Sequence, residues 1–383
     1  MITQRFTTDG SDALEQQIQA ICDRVRAELE RIIPAHKLEA IVLGGGYGRG
    51  EGGVLRTESG DEPYNDIEFY VFLRGSRLWN QQKFGAAIGQ LAGNLSAATG
   101  LHVEFKMDSL QRLRRMPICM FTYDLVSAHR ALLGSGQIFK GCEHHRDASN
   151  LPLSEATRLL FNRCSGLLLV RELLARKAIN SEESDFIGRN LAKAQLALGD
   201  AILTVYGLYH WSNSTRNQRL EQFETDDEVP HLPVLKEHHR LGLEFKLHPQ
   251  RILKTPEEFA PEHRALSALA QQLWLWIESR RLGQPFSNIG DYAFSAINKC
   301  PETLSAKNYL LTMRTFGAGC ALRPLAGRYP RERLFNSMPL LLWNGEVSGE
   351  PEIQRHLQKQ LSSTASDWNG LVAAYKEIWP SYG

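Results

Sequence analysis

The sequence lacks an apolar run long enough to cross a bilayer, any C-x-x-C pair, and an excess of charge of either sign. Its most apolar windows are Gly166 to Leu174, which is too short, and Leu196 to Tyr209, which Asp200 interrupts. A spanning helix needs about 20 apolar residues with few charges, so both windows are expected to be buried helices. Lys and Arg number 44 against 43 Asp and Glu, which gives no support to a nucleic-acid partner without ruling one out. The six cysteines (Cys22, Cys119, Cys142, Cys164, Cys300 and Cys320) are scattered and show no structural-zinc or redox spacing. Reduced thiols are the expectation. The start MITQRFTTDGSDALEQQ has neither the basic and apolar regions of a signal peptide nor the acid-poor character of a transit peptide. A cytoplasmic location is therefore expected. The Walker pattern is missing too, since no Lys-Ser or Lys-Thr follows the glycines.

Length and texture say what is present. With 383 residues, of which 43% are hydrophobic and 23% charged, the chain can fill two ordered domains. Leu14, Ile18, Ile21, Val25 and Leu29 recur at helical spacing between Ser11 and Ile33, and Pro34 ends the pattern. The apolar run Ala40 to Leu43 then reads as a strand emptying into the glycine loop Gly44 to Gly53. Period-two alternation marks Asp66 to Leu73 and His102 to Asp108 as strands, with a helix expected at Leu78 to Ala98 between them. Phe121 to Val126 is expected as a fourth strand. After Pro152 the pattern turns helical, at Ser154 to Lys177, Ile187 to Trp211, Pro261 to Arg281 and Asp367 to Trp379, whereas Ser212 to Lys254 reads as a long irregular connection. The expected layout is an α/β domain over 1–150 and an all-helical domain over 151–383.

Two features carry chemistry. A glycine-rich turn after a strand brings backbone close to phosphate oxygens, because glycine has no side chain to block the approach. Asp66 and Glu68, at i and i+2, share one strand face and repel each other unless a cation lies between them. Mg²⁺ is commonly held by one or two carboxylates plus substrate phosphates, so the pair points to phosphoryl or nucleotidyl transfer. Gly48, Gly50 and Gly53 fit G-x-G-x-x-G, but they lie beyond the strand end and the loop holds Arg49 and Glu51, which disfavours a dinucleotide site. The run Cys142, Glu143, His144, His145 and the pair His238, His239 read as loop, and Asp124 and His129 as surface or cleft residues.

At Leu43, Gly45 and Gly46, followed by Asp66-Ile67-Glu68, the chain resembles the DNA polymerase beta-type nucleotidyltransferase superfamily. The stretch GGYGRGE is similar to the form found in the small bacterial members and sets Arg49 and Gly50 in register. The resemblance covers residues 38–136 and departs from the pattern in one place, where TESGDEPY stands as an added surface loop before Asn65. It implies an α/β nucleotidyltransferase core, a mixed sheet flanked by helices, followed by a helical domain that closes the site, as in the aminoglycoside nucleotidyltransferases. It also implies a third carboxylate on a later strand, Glu104 or, second, Asp108.

The expected activity is transfer of a nucleoside monophosphate from a nucleoside triphosphate to a hydroxyl, with release of pyrophosphate. Asp66, Glu68 and Glu104 would hold Mg²⁺ or Mn²⁺, and Gly45, Gly46 and Arg49 the phosphates. Arg189, Lys193 and Asp200 form a polar stripe on an apolar helix, from which Lys193 is expected to reach the triphosphate. Near-neutral charge favours a small-molecule acceptor over a protein or nucleic-acid one. A nucleotide-binding regulator without turnover is the alternative from another class, and no oligomeric state is implied.

Overall fold

The computed structural model describes residues 5–64, 66–317, 319, 326–344 and 350–382. The chain divides into two units: Met1–Glu155 with Leu203–Phe223 and Arg240–Gln250, and Ala156–Ile202 with Glu224–His239 and Arg251–Gly383. The first unit thus takes in two stretches that follow the expected boundary near residue 150.

Helix α1 (Asp12–Ile32) starts behind Ser11, whose hydroxyl accepts the Leu14 amide, and it buries the apolar face expected of it. Strand β1 (Leu38–Leu43) runs into a one-turn helix α2 (Gly45–Arg49), where an open glycine loop was expected. The segment expected as an added loop is a hairpin of β2 (Val54–Thr57) and β3 (Gly60–Pro63). Strand β4 (Ile67–Leu73), helix α3 (Arg77–Thr99) and strand β5 (Val103–Asp108) follow as expected. After the short helix α4 (Leu110–Leu113), the expected strand at Phe121 is helix α5 (Met120–Ser127). Its start is fixed by one near and one distant group: the Cys119 amide donates to Thr122 Oγ1 at 3.0 Å and the Met120 amide to the Glu155 carboxylate at 2.6 Å. An apolar run this short fits either state by periodicity alone, so the capping groups decide.

Strand β6 (Arg130–Leu133) completes a four-stranded mixed sheet of order β5-β4-β1-β6, parallel only between β4 and β5. One face packs on α1 and α3 through Ile41, Leu43, Ile67, Phe69, Val71 and Leu73. On the other face Ala40, Val42, Tyr70 and Phe72 meet Leu110, Leu113, Leu125 and Phe139. Burial on both faces explains why β1 and β4 read as nearly continuous apolar runs.

From Leu153 onward the described residues form no strand. The helices are α6 (Leu153–Leu174), α7 (Ser181–Val205), α8 (Asn213–Glu221), α9 (Leu232–Leu247), α10 (Pro256–Leu282), α11 (Ile289–Phe294), α12 (Ser305–Phe316), α13 (Pro330–Trp343), α14 (Pro351–Leu361) and α15 (Trp368–Tyr382). Helices α8 and α9 replace the irregular connection expected at Ser212 to Lys254. Their buried stripes contain polar residues, Asn213 and Arg216 in α8 and His239 in α9, which hid the helical period. In the second unit, fully buried Glu278 accepts from Thr157, Tyr292 and both Nε and Nη2 of Arg281. Such saturation lets a buried charge persist. No described helix is long and apolar enough to cross a membrane. The five described cysteines are free thiols, and Cys320 lies outside the described residues.

Two glycine substitutions should shift stability in opposite directions. A Cβ at Gly48 would lie 2.3 Å from the Leu43 carbonyl oxygen, so Gly48→Ala should cost about 1–3 kcal/mol. At Gly93 on α3 a Cβ meets nothing within 4 Å, and Gly93→Ala should gain about 0.5–1 kcal/mol from helix propensity. Urea melts of the full chain would read both, and a Gly48→Ala chain as stable as the unaltered one would contradict the packing described for α2.

Candidate functional site

Alternation along β4 sends Ile67, Phe69, Val71 and Leu73 into the core shared with α1 and α3, leaving Glu68, Tyr70 and Phe72 on the opposite face. The parallel register then sets Glu68 against Glu104, Tyr70 against Lys106 and Phe72 against Asp108. Two carboxylates are therefore neighbours on one sheet face, and their side chains are 31% and 43% exposed, open to a ligand from solvent. Lys106 Nζ lies 3.1 Å from Glu104 Oε2 and 3.6 Å from Glu68 Oε2. Tyr70 donates its hydroxyl to Glu68 Oε2 at 2.6 Å. Burial, and after it the charge of Glu68, pushes the Tyr70 hydroxyl far above its ordinary pKa, so it remains a donor.

The other expected ligands are placed less centrally. Asp66 is exposed one residue ahead of β4, and Asn65 before it lies outside the described residues. Asp108 stands four positions along β5 from Glu104, where it pairs with Arg112 and accepts the Ser109 amide. The register thus brings Glu104 to Glu68 and leaves Asp108 at the far end of the strand. Among the described residues no three His, Cys, Asp or Glu side chains converge as a metal cluster. The donor types are nevertheless those a hard divalent ion takes, since two carboxylates converge on one ammonium group.

The glycine turn meets this face directly. The Gly44 amide donates to the Glu68 carbonyl at 2.9 Å, and a Cβ on Gly45 would lie 3.6 Å from Glu68 Cδ. Gly45 also has φ +61°, a conformation glycine adopts without strain. The other glycines of the turn serve packing: a Cβ would come within 2.4 Å of the Tyr70 ring at Gly44 and 3.0 Å of the Glu51 carbonyl at Gly46. Arg49, expected to grip phosphates, is 12% exposed and donates to Asp124 Oδ2 at 3.0 Å, which ties α2 to α5. Tyr209 donates to the same Asp124 oxygen at 3.4 Å. Arg49 is thus engaged in holding the turn.

Glu51, passed over in the sequence, anchors the turn from its other end. It is buried, and its carboxylate accepts from Ser212 Oγ (2.7 Å), the Asn213 amide and Nδ2 (2.7 and 2.8 Å) and the Ser214 amide (3.2 Å) at the start of α8. The only signal in the sequence was a charge inside a glycine run. Lys106 and Tyr70 were likewise missed as members of the site, although alternation already put them on the acidic face.

In the second unit Arg189 pairs with Asp185 at 3.1 Å, and buried Asp200 accepts from His239 Nε2 at 3.0 Å, while Lys193 is exposed on α7. Arg189 and Asp200 are thus each engaged by another side chain of this unit. Cys142 to His145 form a 3₁₀ turn in which His144 and His145 bond the carbonyls of Met116 and Leu113, a structural use. His129 stacks edge-on to Phe139, and burial lowers its pKa. His238 and His239 sit on α9, where a loop was expected.

Burial alone would raise the pKa of Glu51, but the bonds from Ser212, Asn213 and Ser214 together hold it below the ordinary carboxyl value of 4.5. Its stabilisation is thus fully present above that value and fades as pH falls through the lower folded value. Glu51→Gln should cost roughly 1.5–3 kcal/mol at neutral pH, the scale of hydrogen bonds to a charged group. The deficit relative to the unaltered chain should shrink on acidification. Denaturant midpoints from pH 7 to pH 3 measure this, and a constant deficit would contradict the charged capping role.

No protein-family model matches the chain, and no curated protein matches it either. The functional reading accordingly rests on the residues of this site and on the motif that carries them.

Proposed function

We propose that the chain is a Mg²⁺- or Mn²⁺-dependent nucleotidyltransferase with an α/β nucleotidyltransferase core, acting on the hydroxyl of a small-molecule acceptor. The observation that carries this reading is the placement of Glu68 and Glu104 side by side on parallel strands, with the side-chain-free Gly45 facing Glu68. Two carboxylates and the backbone of Gly45 thus lie together at the start of β4, and the motif Gly45-Gly46 with Asp66-Ile67-Glu68 points the same way.

Asp66, Glu68 and Glu104 are the residues that would hold the ion. When bound, it neutralises the triphosphate charge and favours ionisation of the attacking hydroxyl. The acceptor oxygen attacks the α-phosphorus, the bond to the bridging oxygen breaks, and pyrophosphate leaves with that electron pair. Glu104, open to solvent, takes the acceptor proton. Tyr70 fixes the orientation of Glu68 through its 2.6 Å hydrogen bond. Gly45 leaves the approach to Glu68 clear, and Arg49 acts by keeping α2 against Asp124.

A nucleotide-binding regulator without turnover is the competing reading. The observation on its side is Lys106, whose ammonium offsets half of the charge of the glutamate pair with no ion present. Pyrophosphate release separates the two when purified chain is incubated with each triphosphate, Mg²⁺ or Mn²⁺ and a panel of hydroxylated acceptors. Asp66→Asn and Glu68→Gln should each leave the fold intact and lower turnover by about 10²-fold or more, the loss typical of a single electrostatic group in catalysis. Triphosphate binding with no turnover under any condition would favour the regulator, and full activity in either variant would end the carboxylate reading.

A further inference from the structure

Two carboxylates directly opposite each other on neighbouring strands repel, so a metal-free site of this kind needs a compensating charge. The chain supplies one from within the site. Lys106 is the next residue on the same face of β5 after Glu104, and it stands in register with Tyr70, the next on β4 after Glu68. Its Nζ meets both Oε2 atoms and lies 5.6 Å from the centroid of the Tyr70 ring, whose hydroxyl donates to the same Oε2 of Glu68. The ammonium group is therefore held by two carboxylates and an aromatic face at once.

We propose that Lys106 is the resident cation of this site: it occupies the place between Glu68 and Glu104 that a divalent ion would take, and it passes to the triphosphate when ion and nucleotide arrive together. The proposal rests on the function proposed above and adds an order of events to it. A free divalent ion must displace an ammonium group already paired with both carboxylates, so it binds weakly alone. A triphosphate offers that ammonium a new partner, so ion and nucleotide assist each other's binding. By linkage the assistance is equal in both directions. Lys106 thereby becomes a positioning residue for the phosphates and a brake on metal uptake in the absence of nucleotide.

A plainer role also exists, because β5 is an edge strand and an edge lysine discourages pairing with other chains. That role does not involve exchange between cations, so binding of the ion alone separates the two. The measurement is Mn²⁺ binding to the full chain without nucleotide, followed by the resonance of the free ion. Lys106→Met keeps most of the stem and removes the charge, with Lys106→Gln as a second neutral variant should Met disturb the fold. Both should bind Mn²⁺ more tightly by about three- to tenfold, the scale of two partly exposed ion pairs. Inorganic tripolyphosphate in the presence of EDTA should move the other way, binding more weakly to the neutral variants by a similar factor. Lys106→Arg keeps the charge and should stay near the unaltered chain in both assays. Unchanged or weaker Mn²⁺ binding in the neutral variants overturns the role of Lys106 and leaves the proposed function standing. Saturable Mn²⁺ binding in none of the chains overturns both.

Discussion

The parallel register of β4 against β5 is the constraint on which the site depends. Side chains alternate along a strand with period two, so a slip of one residue would turn Glu104 and Lys106 into the core and bring Val103 and Phe105 out. The register is fixed by the apolar side. Ile67, Phe69, Val71 and Val103 pack against α1 and α3, with the Phe69 and Phe105 rings stacked 5.4 Å apart. Glu68 and Glu104 become neighbours as a consequence of this burial, and the polar face inherits a geometry that it could not have set for itself against its own charge repulsion. Lys106 and Tyr70 then make the inherited arrangement tolerable.

This dependence explains which parts of the fold and site were legible in the sequence. Where one face is buried and the other is polar, the pattern of residues reports the structure directly, as in α1, in β5 and at Glu68 near the start of β4. The acidic face of β4 was visible for the same reason, and Lys106 lay in plain view on the matching face of β5. Legibility failed where burial was not apolar. Helix α8 buries Asn213 and Arg216, and α9 places fully buried His239 in its inner stripe, so neither shows a hydrophobic period. It failed also at α5, where the short apolar run Phe121 to Val126 fits either state and the deciding groups, Thr122 and Glu155, act through hydrogen bonds to the backbone. Hydrogen bonds between residues distant in sequence leave no local pattern. The Arg49 to Asp124 pair, separated by 75 residues, is of this kind.

The glycine run shows how one composition can serve two needs. Its density suggests a surface shaped for phosphate, and Gly45 beside Glu68 is consistent with that use. Gly44, Gly48 and Gly52 answer a different demand, for a Cβ at any of them would come within 2.4 Å of Tyr70, Leu43 or Tyr47 respectively. Close packing of the turn against β1, β4 and its own Tyr47 is thus what these three glycines permit. A count of glycines cannot separate these roles, because the distinction lies in what each missing side chain would have struck.

A turn built from glycine has few side chains with which to hold itself in place, and the structure meets that need with polar anchors. Tyr47, the aromatic residue of α2, is buried, donates its hydroxyl to the Gly53 carbonyl and accepts the Tyr64 amide. Arg49 reaches Asp124, and Glu51 gathers four hydrogen bonds from residues 212–214. The partners of these anchors are Gly53, Tyr64, Asp124 and residues 212–214, and Glu68 is not among them. Hydrogen bonds suit this purpose better than apolar contacts, because each fixes direction as well as distance and a buried carboxylate left without its donors is strongly disfavoured. The chain therefore divides its polar residues by position. Those at 47, 49 and 51 are used up in holding the backbone, and those at 66, 68, 104 and 106 are left facing solvent, where a ligand can compete for them.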